Sequence, residues 1–127
     1  IIAENSLFKT LHYLEKLKLI NDQVNQYDIE YIFGNVNYTH FNQYFHHLKS
    51  KRFNDGLKIL NTLFDGGYSV IDILDALFQY IKNTNILQED EKYKIIPIIC
   101  KFTTIFYDVH EHEIELIFLT NNIMKIF

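Results

Sequence analysis

The sequence is short of the residues that most catalytic and covalent frameworks need. It has one cysteine among 127 residues, so a disulfide framework is excluded, and a reducing, intracellular setting follows as the default expectation. That residue, Cys100, follows Ile95-Ile96-Pro97-Ile98-Ile99, and a lone thiol in an apolar run is expected to be a small buried side chain. The four glycines, Gly34, Gly56, Gly66 and Gly67, fall in no G-x-x-x-x-G-K-[ST] arrangement, so a phosphate loop is not expected. No G-x-S-x-G nucleophile elbow is present either. Charges such as Lys101 and Asp108 interrupt the apolar stretches before they reach the roughly 20 residues of a membrane span. The N-terminus, Ile1-Ile2-Ala3-Glu4-Asn5, has no charged region or small-residue cleavage site of a signal peptide. It also lacks an initiating methionine, which leads to the expectation of a piece of a longer chain. Basic clustering is limited to Lys49-Ser50-Lys51-Arg52 in a chain of net charge −4. Phosphate neutralisation supplies most nucleic-acid affinity, so this chain alone is expected to bind DNA poorly.

What is present is apolar content, 48% of the chain, spaced for helices. Leu7, Leu11, Leu14 and Lys18 share a face of a first helix ending near Ile20. A short helix is expected over 27–33, capped by Asn25 and closed by Gly34. Thr39 can cap the next, with Phe41, Tyr44, Phe45 and Leu48 at i, i+3, i+4 and i+7. Asn54 can start another, with Leu57, Leu60 and Phe64 on one side and Gly66-Gly67 as its stop. Ser69-Val70-Ile71-Asp72 reads as a capping-box variant opening a stripe of Val70, Ile71, Leu74, Leu77, Phe78 and Ile81. A long segment over 88–107 contains Pro97, which calls for a kink or two abutting helices. A last helix, 113–127, carries apolar residues around most of its circumference and must be buried on several sides, by its own domain or a neighbour. No strand alternation appears. The fold class is all-α, a compact bundle of six to seven helices.

Candidate chemistry is thin. His46 and His47 are adjacent and point to different helix faces, while His110 and His112 flank Glu111. No H-x-x-x-H or C-x-x-C spacing supplies the convergent ligands that zinc needs, so a solvated loop is the better reading. The carboxylates of Glu89-Asp90-Glu91 and of Glu111, Glu113 and Glu115 precede or open helices, where negative charge complements the macrodipole. The aromatic residues fall on helix stripes as core material.

The order of the segments resembles the C-terminal region of replication factor C small subunits, the sliding-clamp loaders of the AAA+ family. Asn5 through Glu15 is similar to the family's G-D-[LM]-R-[RKQ]-A-[LI]-N-x-L-Q helix, the end of the ATPase lid. Ile29-Glu30-Tyr31-Ile32-Phe33-Gly34 resembles the short helix that opens the collar domain. Phe53 through Leu63, then Gly67-Tyr68-Ser69 and Asp72-Ile73-Leu74, is similar to the run that ends in G-[YL]-S-x-x-D-I-[LI]. His112-Glu113-Ile114-Glu115-Leu116 resembles E-x-I-Q-L at the start of the final helix. Phe8 stands where the family has its ATP-sensing arginine, so that role is not carried over.

The resemblance implies that residues 1–20 end the lid and 21–127 form a collar that assembles a hetero-pentamer. Through the parent complex it implies ATP and magnesium, a sliding clamp, primed DNA and a nuclear location. It implies neither a cofactor nor catalysis in this chain, and no membrane. Phe102, Phe106, Ile117, Phe118 and Met124 are the candidate subunit contact. Two other readings stay open: a helical interaction scaffold unrelated to replication, and an enzyme built on His110, His112 and Glu115.

Overall fold

The computed structural model describes residues 6–19, 38–106 and 108–127. Six helices lie among them: α1 (Leu7–Lys18), α2 (Tyr38–Lys49), α3 (Phe53–Asp65), α4 (Val70–Asn83), α5 (Glu89–Ile105) and α6 (Ile114–Met124). No strand occurs among the described residues, as an all-α reading requires. The chain divides into two units, Ile1–Asn35 and Val36–Phe127. The expected boundary at 20/21, the short helix over 27–33, its Asn25 cap and Gly34 lie outside the described residues.

In the first unit, Ser6 caps α1 by accepting a hydrogen bond from the Lys9 N–H at 3.4 Å. Lys16 and Lys18 in its last turn complement the negative end of the helix dipole. The helix buries none of its own side chains, and Leu7, Leu11 and Leu14 are exposed.

The second unit is a bundle of five helices around one core. Helix α2 turns Phe41, Tyr44, Phe45 and Leu48 inward, the i, i+3, i+4, i+7 set read from sequence. It begins at Tyr38, so Thr39 lies in the first turn rather than at the cap. A tight turn follows, with Lys51 in the left-handed region at φ 57°. Helix α3 starts at Phe53, one residue before the expected Asn54, and Arg52 at its N-cap makes no side-chain cap bond. Gly56 is where α3 meets α2: a Cβ there would lie 3.1 Å from Leu48 Cδ2, so a larger residue would require the Leu48 side chain to give way.

The stop after α3 is built by two backbone bonds, Gly67 N–H to Phe64 O at 3.0 Å and Tyr68 N–H to Leu63 O at 3.3 Å. That pattern is the Schellman closure, and it places Gly67 at φ 97°, which favours glycine. Two residues later the next helix opens. Ser69 Oγ accepts from the Asp72 N–H at 3.1 Å, and Ser69 N–H donates back to Asp72 Oδ2 at 3.2 Å. This is the expected capping box.

The buried stripe of α4 is rotated from the expected one. Ile73 and Tyr80 are buried, while Ile71 and Phe78 are only partly covered. Tyr80 explains the rotation: its ring stacks on Phe45 with centroids 5.7 Å apart, and its hydroxyl donates to Asn42 Oδ1 at 2.5 Å.

Helix α5 runs unbroken through Pro97, in place of two abutting helices. Proline removes the N–H that would bond the Tyr93 carbonyl, but Tyr93 and Pro97 are both exposed, so water can satisfy that oxygen. Cys100 is exposed and not a core side chain. The helix turns Ile95, Ile99 and Phe102 inward, and position 100 falls on the opposite side.

Helix α6 is shorter than expected, Ile114 to Met124, and packs against α2, α3 and α5. Leu116, Leu119, Thr120 and Ile123 are buried. Beyond it, Ile126 and Phe127 are partly buried on the core, and Phe127 meets Phe45 edge-on with centroids 6.3 Å apart. Burying each large apolar side chain contributes about 1.5–3 kcal/mol, so α6 is held on its inward face by three helices of its own domain.

Candidate interaction surface

The residues expected at a contact surface do not all lie on one. Phe102 is 6% exposed and belongs to the domain's own core, which corrects its assignment as surface. Phe106, the C-cap of α5, and Met124, the last residue of α6, are partly buried against that core. Ile117 and Phe118 are different: they are 39% and 49% exposed.

Helical spacing explains the split. Positions 116, 119, 120 and 123 point into the bundle, so 117 and 118 point away from it. The same geometry adds a residue that the sequence reading passed over. Ile114, 42% exposed, lies three and four positions before Ile117 and Phe118, on their face. The i, i+3, i+4 spacing was the available signal, masked by the apolar residues all round the helix. Val109, 57% exposed, stands in the loop that leads into this helix.

That loop is acidic and held in place. Asp108, Glu111 and Glu113 are exposed, and Glu111 Oε2 accepts from the Ile71 N–H at 3.3 Å, tying the loop to the first turn of α4. The carboxylate thus meets the positive end of a helix dipole. His112 Nδ1 accepts from the Ile114 N–H at 3.1 Å, orienting the entry to α6.

The basic cluster is turned to structural use. Lys49 Nζ donates to Glu91 Oε2 at 2.9 Å and to the Ile86 carbonyl at 3.1 Å, and lies 5.4 Å from the centroid of the Phe127 ring. Lys51 Nζ donates to the Met124 carbonyl at 3.4 Å, and Arg52 lies 3.9 Å from Asp55. Glu91 also accepts from the Gln88 N–H at 2.8 Å. Burial alone would raise the Glu91 carboxyl; the hydrogen bonds from Lys49 and Gln88, with the charges of Lys49 and Lys94, outweigh it and hold the group below its ordinary range.

Among the described residues no group of three histidine, cysteine or acidic side chains is placed to hold a metal ion. No described helix is long and apolar enough to cross a membrane. Burial pushes the Tyr44 phenol well above its ordinary value, partly offset by its hydrogen bond to Thr120, so it is a neutral core group.

A family model, the replication factor C C-terminal domain, matches residues 37–105, more than half of the chain. The chain belongs to the replication factor C C-terminal domain family. Comparison with curated proteins gives no match. The matched stretch takes in α2 to α5, including the Gly67 closure and the Ser69 box, and ends before α6. Membership makes this a helical, non-catalytic domain of a replication clamp loader, one that associates with other clamp-loader subunits. The unrelated-scaffold reading is thereby set aside.

Proposed function

We propose that the domain holds its parent subunit in the clamp-loader ring through the outward face of α6, with Ile114, Ile117 and Phe118 as the contact. The carrying observation is the position of those side chains on an α6 already packed on three helices of its own domain, with a further apolar face left to solvent. Exposed apolar side chains grouped on one face mark an interaction site more often than scattered ones do. Phe102 contributes from within, by fixing α5 beneath its neighbours.

In this reading the parent complex uses ATP and magnesium, bound outside this domain, to open a sliding clamp and place it on primed DNA in the nucleus. The domain's own part is assembly. Family membership supports the replication setting, and the internal pairing of Lys49, Lys51 and Arg52 supports a role without direct DNA contact.

The experiment is reconstitution of the parent complex with Phe118→Asp. A folded variant is expected to drop out of the complex and to lose clamp loading in proportion. Full assembly by the folded variant would place the contact elsewhere.

A further inference from the structure

The exposed face of α6 is apolar along Ile114, Ile117 and Phe118, and the residues around its entry carry one sign of charge. Asp108, Glu111 and Glu113 are exposed on the loop before it, and Glu115 is half-exposed in the first turn. Among residues 108–125 the one lysine or arginine is Lys125, exposed beyond the far end of the helix. The bond from the Ile71 N–H to Glu111 holds the acidic loop in position before any partner arrives.

Resting on the reading of this face as the subunit contact, we infer that its occupant is a protein surface with an apolar centre and a lysine- or arginine-rich rim, carried by a different subunit.

Area argues that the contact reaches the acids. A stable interface buries roughly 800 Å² on each partner. Four half-exposed side chains fall short of that, and one of them, Val109, stands in the loop between Asp108 and Glu113, so a partner that covers all four reaches the acids. Charge argues against the other occupants. A second copy would bring another acidic loop and a chain of net charge −4 against the first, with Lys125 the one lysine or arginine among residues 108–125 to offset the acids. Nucleic acid is excluded because its phosphates would meet the same carboxylates. A basic rim turns the repulsion into attraction and steers the encounter.

The test measures association of the full-length parent chain with its purified neighbouring clamp-loader subunit, at low and high salt. Three proteins are compared: the wild type, Asp108→Lys/Glu113→Lys and Phe118→Asp. Circular dichroism and melting establish that both variants are folded. Glu111 is left intact because it secures the loop. The wild-type association rate is expected to fall as salt rises. The double variant is expected to associate about tenfold more slowly at low salt and to converge on the wild type at high salt.

A wild-type rate indifferent to salt would overturn the inference, whatever the variants do. So would a double variant with the wild-type rate and salt dependence, or a homodimer, broken by Phe118→Asp, that persists beside the neighbouring subunit. If Phe118→Asp prevents association while the double variant behaves as wild type, only the charge inference fails. If Phe118→Asp associates normally, the contact reading fails with it.

Discussion

Tyr44 and Thr120 show what one buried polar pair does in a core otherwise made of Leu, Ile and Phe. The Tyr44 hydroxyl donates to Thr120 Oγ1 at 3.2 Å, and Thr120 Oγ1 donates in turn to the Leu116 carbonyl at 2.7 Å. Removing either partner is not equivalent. Tyr44→Phe leaves Thr120 with its helix carbonyl and is expected to cost about 1 kcal/mol. Thr120→Val strands a fully buried phenol and is expected to cost more, about 1–3 kcal/mol. Urea denaturation of the two variants reads the order. Glu91 gives a second expectation at this scale. Its carboxyl is held below its unfolded value, so its contribution is present above about pH 4.3 and is lost as pH falls through the lower folded value. Wild-type stability should therefore decline on acidification below that point, and Glu91→Gln should decline less. Urea midpoints measured across that window test it; identical profiles would remove Glu91 from the account. The residue scale was also where the sequence misled. Cys100 follows an apolar run, but the 3.6-residue period that takes Ile95, Ile99 and Phe102 inward carries Cys100 outward.

Among the elements, those with local signals were legible. The Ser69–Asp72 box and the Gly66-Gly67 stop depend on bonds within a few residues, and both stand where the spacing puts them. The rotation of the α4 stripe was not legible, since it follows from Tyr80 reaching Asn42 on another helix. The continuity of α5 was not legible either, because whether Pro97 breaks a helix depends on which side of the bundle it faces. Its exposure makes a prediction possible. Pro97→Ala restores an N–H for the Tyr93 carbonyl without filling core space, and should raise stability by up to about 3 kcal/mol. Thermal melting tests the sign: a lower melting temperature would mean that the helix needs the proline's geometry. Of the proposed contact on α6, Ile117 and Phe118 were named from the apolar residues around the helix. Ile114 was obscured because nearly every neighbouring position is apolar too, so a face could be assigned only once the packing of Leu116, Leu119 and Ile123 was known.

For the whole molecule, one family and one face carry the account: a replication factor C C-terminal domain whose final helix is packed inward on three helices and left apolar outward. Family membership was legible in the joined order of the Phe53–Leu63 run, the glycine stop and the serine cap, all within the matched residues. The most direct measurement asks whether that outward face is covered in the parent complex. In a Cys100→Ser background, a cysteine is introduced by Ile117→Cys, and its thiol-labelling rate is compared in the free chain and in the assembled clamp loader. Asn54→Cys, at an exposed position in the first turn of α3, serves as the reference. Burial in a subunit interface should slow labelling at position 117 by about tenfold or more, with little change at position 54. Equal labelling at position 117 in the free and assembled states would contradict the account.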